Sequence, residues 1–374
     1  MVTPSFPEAP GRATGGVSTA TAGLVEGLLK VDPDAEIHVL HAGIAVPAST
    51  PWSDFSEDGR ARVRRLRLDG PLSRLAIGRL INQPIHEIAR ELRPDVVHVQ
   101  ANANLFGPSR LPTVFTVHGI PGKDAAFRGR FGAARTALAS VRDTRPLRHY
   151  RHLIAIAGHV VQELEQHVRG RWHFVPNAIH EDFYGVNADP GAAPPVVVQI
   201  GSLGRRKNPL ATVEAVGILA RRGVDVQLRL AGPRIDADYA QELDQAVARY
   251  GIGDRVHFLG SLDRDAVFEE LRGARIVALP SFQETAPMVI AEAAAAGVAC
   301  VVAPAGGAAE MFLDQVSGRL CDPRSPESIA DALQGPLEDA ELARTWGARM
   351  RAGAHRYHPT AVAEATARLY ASIV

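Results

Sequence analysis

Short runs rich in β-branched residues alternate with longer amphipathic patterns along the chain, and they do so in two series. In the first, EIHVLHA, RVRRLRL, VVHVQ, TVFTVHG, HLIAIA and WHFVP read as strands, with helices over 17–30, 74–92 and 159–168. In the second, VVVQIG, VQLRLAG, VHFLG, RIVALPS and ACVVAP are separated by helices near 209–222, 238–250, 264–272 and 287–296. Parallel neighbours need a helix-length crossover, so this alternation implies βαβ units and parallel sheets. Two series predict an α/β protein of two doubly wound, Rossmann-like domains facing across a cleft, and 374 residues suffice for both. The stretch GVNADPGAAPP, 185–195, lacks an apolar period and is the expected linker between domains 1–184 and 196–358. Only MVTP precedes the first Gly-rich loop, so the opening strand is either very short or cut by the start of the sequence.

Composition narrows the class. Lys+Arg 41 balances Asp+Glu 41, so net charge calls for neither nucleic acid nor an anionic membrane, and only a local patch could. Cys300 and Cys321 sit in apolar runs as small hydrophobes, with no CxxC and no Cys/His cluster. Neither a disulfide framework nor a zinc site is expected. No signal-peptide pattern and no apolar run of about 18 residues occurs, which predicts a cytoplasmic protein that does not span a membrane.

In open α/β sheets, ligands bind in loops beyond the carboxyl ends of strands. One such loop is GSLGRRKNP, 201–209, after the strand VVVQI. Gly201 allows close backbone approach, Arg206 and Lys207 bring positive charge, and Pro209 suits a first helical turn. A diphosphate needs these features, although the loop is neither GxxxxGK[ST] nor GxGxxG. The plainer reading is a solvated basic turn. A second Gly-rich turn at Gly15 and Gly16 enters an amphipathic helix, where free N–H groups suit an anion or where the glycines merely shape the chain.

The stretch SFQETAPMVIAEAAAAG carries two carboxylates in an otherwise buried pattern. Glu284 falls just before a predicted helix that Thr285 or Ala286 can cap, with Pro287 in its first turn, and the free N–H groups lie at Met288 and Val289. Glu292 follows eight positions later, on roughly the same side. Two such carboxylates can accept hydrogen bonds from two sets of hydroxyls. Alternatively, Glu284 complements the helix dipole and Glu292 pairs with a basic side chain.

Together, GSLGRRK and the spacing E-TAPMVIA-E resemble the retaining nucleotide-sugar glycosyltransferases of the GT-B fold, in the family 4-like "glycosyl transferases group 1". GGVSTATAGL is similar to that family's N-terminal glycine loop, VFTVHG to its histidine loop, VPNAI to its linker-proximal turn, VHFLGSL to its base-binding loop and GGAAEMF to its Gly-Gly-x-x-Glu turn. The resemblance implies an N-terminal acceptor domain, a C-terminal donor domain, and a last helix, about 359–374, that crosses back. It implies that Arg206 and Lys207 hold the diphosphate beside Gly201 and Ser202, that Leu259 lies in the base loop, and that Glu292 binds the ribose. Glu284, Thr285, Ala286 and Pro287, with the N–H groups of Met288 and Val289, would meet the transferred sugar and phosphate. Gly15 and Gly16 would approach the diphosphate, and His118 would sit by the anomeric centre; a satisfied strand-end histidine is its plainer reading. The departures are Ser202, where an arginine is usual; Asn208-Pro209, where a glycine is; the run Thr285-Ala286-Pro287, which alters the sugar pocket; and Gly158, where a serine is common.

The implied reaction moves a hexose or N-acetylhexosamine from a UDP- or GDP-sugar to a hydroxyl acceptor, with no metal and no cofactor. The pairs Asp32/Asp34 and Asp236/Asp238 look like metal-binding DxD motifs but fall in turns beside helices, where they read as caps. Competing readings are an epimerase or hydrolase of the same fold, a nonreactive sugar-nucleotide binder, and an NAD-type oxidoreductase, which would need a GxGxxG loop that the chain lacks. The stretch 123–152 is dense in arginine, with Arg128, Arg135 and Arg142 at seven-residue spacing on one helical face. That face would receive an acceptor phosphate or touch an anionic lipid surface at the inner membrane face, or would simply be solvated.

Overall fold

The computed structural model describes residues 1–8, 15–43, 46, 48–67, 77–120, 144–191 and 193–374. They form two compact units, Met1–His180 with Tyr357–Val374, and Glu181–Arg356. Most of the arginine-rich stretch, including Arg128, Arg135 and Arg142, lies outside the described residues. Among the described residues, no helix is long and apolar enough to cross a membrane.

The first unit holds a sheet of strands β1 (Val2–Thr3), β2 (Ile37–Gly43), β3 (Ser53–Asp54), β4 (Ala61–Arg67), β5 (Val97–Gln100), β6 (Thr113–Val117), β7 (His152–Ala155) and β8 (Arg171–Phe174). Their order is β3-β4-β2-β1-β5-β6-β7-β8, parallel except for the β3–β4 edge pair. Helices α1 (Gly16–Val31), α2 (Ile77–Leu92) and α3 (Gly158–Leu164) provide crossovers. The opening strand is only two residues long, yet Val2 pairs with Leu40 on one side and Val99 on the other. A central place in the sheet buries both residues and compensates for the short length. The β3 edge was not legible in the sequence, because Ser53 and Asp54 are both exposed and carry no apolar alternation.

The second unit repeats the plan with β9 (Val196–Ile200), β10 (Gln227–Ala231), β11 (Val256–Gly260), β12 (Ile276–Leu279), β13 (Ala299–Val302) and β14 (Gly318–Leu320), in the order β11-β10-β9-β12-β13-β14 and all parallel. Its helices are α4 (Pro209–Arg221), α5 (Ala237–Tyr250), α6 (Arg264–Arg272), α7 (Met288–Ala296), α8 (Pro326–Glu338) and α9 (Ala340–Ala352). Every residue of β12 and β13 is buried, as continuous apolar runs covered on both faces require. The last helix, α10 (Pro359–Ala371), packs on α1 in the first unit.

The division falls between His180 and Glu181, ahead of the 185–195 stretch expected to link the domains. Phe183 packs edge-on against Phe268 of α6, with centroids 4.6 Å apart. The N–H groups of Asp189 and Ala188 donate to the carbonyls of Arg272 and Ala296, the last residues of α6 and α7. Helix ends leave such carbonyls without intrahelical partners, and this segment satisfies two of them. Poor in apolar pattern, it is nonetheless fastened to the second unit.

Candidate active site

In the second unit, two loops meet at the carboxyl ends of adjacent strands β9 and β12. Gly201 has φ +142°, and the β10 loop passes so close that a Cβ on Gly232 would sit 1.9 Å from the Gly201 carbonyl oxygen. Only glycine fits there. The Lys207 side chain runs over Gly201. Gln199, buried on β9, donates to the Lys207 carbonyl at 2.9 Å and accepts from Thr212 at 2.7 Å, fixing the end of the loop. Asn208 takes the left-handed conformation, φ 55°, which Asn tolerates better than most residues. This accommodates Asn at a position where the family it resembles has glycine. Its Nδ2 also donates to the carbonyls of Pro280 (3.1 Å) and Pro323 (2.7 Å), tying the loop after β9 to the loop after β12.

Across this junction Lys207 Nζ lies 2.6 Å from Glu284 Oε1, and Arg206 Nη1 lies 3.4 Å from the same oxygen. Arg206 also donates to the Gln283 carbonyl at 2.8 Å, and its own carbonyl accepts from the Phe282 N–H at 2.9 Å. The Glu284 side chain is 6% exposed and that of Lys207 13%. Water screens such a pair weakly, so the charges depend on each other. Glu292, one turn into α7, is pushed up to about 7 by burial, with the Lys207 charge pulling in the opposite direction. Both glutamates singled out in the sequence therefore sense one lysine.

Helix α7 begins one residue later than expected. Pro287 is its N-cap rather than a first-turn residue, and no side chain, neither that of Thr285 nor of Ala286, caps it. The Met288 and Val289 N–H groups stand at the helix start, as the sequence suggested. Leu259 occupies a β-bulge: Leu230 pairs with Phe258 and Ala231 with Gly260, leaving Leu259 as the extra residue. Beside it the Arg234 guanidinium stacks 3.9 Å over the Phe258 ring and is clamped by Asp244. Ser202 lies next to Gly201 in the same loop and is partly buried. Asp236 caps α5 by accepting from the Tyr239 N–H at 3.0 Å, and Asp32 accepts from the Asp34 N–H at 3.0 Å. No group of three or more potential metal ligands occurs among the described residues.

The remaining candidates lie in the first unit. Gly15, at φ +86°, is the N-cap of α1, and Gly16 is its first residue. His118 follows the end of β6, and its Nε2 lies 2.6 Å from Gln100 Oε1, an amide oxygen that can only accept. Gln100 Nε2 is 3.2 Å from His98 Nε2, which is also 2.6 Å from Thr116 Oγ1. His98 Nδ1 reaches Tyr370 Oη of α10 at 2.6 Å. Burial lowers His118 to about 4 and His98 to about 3, the latter also lowered by the Met1 ammonium and His118. The two rings are neutral at neutral pH. His98, Gln100, Thr116 and His118 border a cavity of about 20 Å³, room for about one water. His98, Gln100 and Tyr370 were not singled out in the sequence. The available signal was the strand VVHVQ, where two polar residues two positions apart share one face of a buried strand.

Residues 14–183 match the family described as Glycosyltransferase Family 4, and residues 188–352 match Glycosyl transferases group 1. A D-inositol 3-phosphate glycosyltransferase of Corynebacterium glutamicum (strain R) is 32% identical over 152 residues, covering 39% of this chain and 36% of that protein. A namesake from Geodermatophilus obscurus is 35% identical over 120 residues, 32% of this chain and 26% of the relative. These alignments thus span little more than a third of the relatives' own length at most. Among solved structures, sucrose-phosphate synthase from Thermosynechococcus elongatus superposes with TM-score 0.80 at 18% identity, covering 99% of this chain and 98% of that one. Anabaena HepE in complex with UDP-glucose gives 0.73 at 20% identity, covering 99% of each chain. At that identity they establish the fold. The break between the two family matches, after 183 and before 188, falls a few residues past the division of the two units, and the chain belongs to the GT-B glycosyltransferases of family 4, group 1.

Proposed function

We propose that the protein is a retaining glycosyltransferase, moving a hexose or N-acetylhexosamine from a UDP- or GDP-sugar to a hydroxyl acceptor. The observation that carries this reading is the convergence of Lys207 and Arg206 on Glu284, beside the N-terminus of α7. As the anomeric C–O bond breaks, negative charge grows on the departing diphosphate, and fixed cations with helix N-terminal N–H groups stabilise it. The acceptor oxygen bonds to the anomeric carbon from the same face, and its proton passes to a phosphate oxygen. Glu284 is the counter-ion of Lys207 and Arg206. When a diphosphate takes over Lys207 and Arg206, Glu284 turns to the hydroxyls of the transferred sugar, and Glu292 holds those of the ribose. HepE, of the same fold, binds UDP-glucose, and the curated relatives are named for D-inositol 3-phosphate; UDP-glucose and that phosphorylated polyol are the first donor and acceptor probes.

Calorimetric titration with UDP, GDP, ADP and dTDP, with and without chelator and with NAD as control, tests the reading. Chelator-insensitive binding of one nucleoside diphosphate, lost in Lys207→Ala, is the expected result. Binding of NAD alone, or undiminished binding by Lys207→Ala, would overturn it. Product analysis separates transfer from epimerisation or hydrolysis, which consume the donor without glycosylating an acceptor.

A further inference from the structure

Gln100 is the only side chain among the described residues that hydrogen-bonds His118, and it does so while bound to a second histidine, the buried His98. A primary amide has two unlike ends, an oxygen that only accepts and a nitrogen that only donates. Whichever end faces His98 forces the other end on His118. The Gln100 nitrogen faces His98 Nε2 at 3.2 Å, so that ring nitrogen must carry a lone pair. The Thr116 hydroxyl, 2.6 Å from the same nitrogen, then donates to it as well. His98 consequently carries its proton on Nδ1 and donates it to Tyr370 Oη, 2.6 Å away. The Gln100 oxygen is left to accept, at 2.6 Å, from His118 Nε2–H. A neutral imidazole with its proton on Nε2 has a bare Nδ1, which has no hydrogen-bond partner among the described residues.

We propose that Gln100 is a positioning residue that fixes His118 as the Nε2–H tautomer, so that Nδ1 accepts a hydrogen bond from a substrate hydroxyl. The inference rests on the reading of His118 as a site residue. It assigns His118 an acceptor's role, not that of a cation or of a donor to phosphate. The order is relayed from α10 through Tyr370 and His98, and nothing in the chain of contacts is charged. Burial of both rings keeps it so. The titratable groups around the relay are His98 and Tyr370, with the Met1 amino group, itself lowered to about 5 by burial, next to His98.

The test is two-bond proton–nitrogen correlation spectroscopy on protein labelled with 15N in its 14 histidines, the His118 signals being assigned by their loss in His118→Ala. The expected spectrum shows protonated Nε2 and bare Nδ1 at His118 from pH 5.5 to 8. A protonated Nδ1 at neutral pH would overturn the proposal directly. Gln100→Glu, nearly identical in shape, puts a carboxylate against Nε2–H and stabilises the imidazolium. Its His118 is expected to take up a second proton on lowering pH within that window, and nucleoside diphosphate release from UDP- and GDP-sugars should fall in step, relative to the wild type at each pH. Gln100→Met is expected to mix the tautomers and slow release about tenfold; an unchanged tautomer and unchanged rate would sink the proposal. If His118→Ala releases nucleoside diphosphate at the full rate, the reading of His118 as a site residue falls. If His118→Ala is slow but Gln100→Met behaves as wild type, only the role of Gln100 falls.

Discussion

Lys207 and Glu284 in the second unit, and His98 and His118 in the first, are titratable groups withdrawn from water, and they reach opposite solutions. The second unit brings cations and a carboxylate to 2.6 and 3.4 Å from one another and so buries charge in compensated form. The first unit buries two imidazoles among an amide, a hydroxyl and a phenol, none of which carries charge at neutral pH. Desolvation then acts without opposition and discharges the rings. The contrast suits the two tasks proposed above for these residues. A diphosphate is held by fixed charge, and an uncharged hydroxyl by a directed lone pair.

The comparison can be broken most readily at Lys207. Lys207→Ala removes the cation and strands Glu284, and it is expected to lower turnover on the order of 10²–10³-fold, as loss of one oxyanion-stabilising donor does. Steady-state release of nucleoside diphosphate measures it, and a loss below about fivefold would deny the lysine its role. Glu284→Gln frees the same lysine from its counter-ion. Nucleoside diphosphate should then bind roughly tenfold more tightly at low salt, the equivalent of about 1.4 kcal/mol, while turnover falls. Weaker binding would mean that the glutamate organises the loop rather than neutralises it.

Glu292 gives a pH signature. Its folded-state value, about 7, lies above its ordinary value of 4.5, so between these limits the native state holds a proton that the unfolded chain has released. Stability from this group is therefore present at low pH and is lost as pH rises through that window. Urea midpoints at pH 5 and pH 7.5 should fall more in the wild type than in Glu292→Gln, and equal shifts would remove the group from the account. Tyr370→Phe has the smallest expected effect on nucleotide binding. It leaves the buried Nδ1–H of His98 without an acceptor and should cost about 1–3 kcal/mol of stability. Nucleoside diphosphate binding should not change; a matching loss there would show that the two units are not independent in this respect.

The site's members were legible to different degrees. Lys207 and Glu284 stand in loops after strands and Glu292 in the helix that follows, in a spacing that resembles a known family, and position alone marks them. Their mutual pairing was not legible: 77 positions separate Lys207 from Glu284, and only the adjacency of β9 and β12 brings their loops together. Gln100 was overlooked because a polar residue closing a strand reads as a strand end, and its two partners come from β5 itself and from the β6 loop. The attachment of 185–195 to the second unit was not legible, because its lack of apolar period says nothing about its backbone, which satisfies carbonyls at the ends of α6 and α7.

By itself the sequence determined the two-sheet α/β plan, since the periods of 2 and 3.6 are local properties that neighbouring residues impose on one another. It also determined which loops carry cations and carboxylates. Tertiary structure alone decided which charges meet, that Leu259 stands on a bulge, that Asn208 rather than a glycine latches two loops, and that His118 is neutral. Each of these depends on distances between segments far apart in the chain, and on burial that no local pattern specifies.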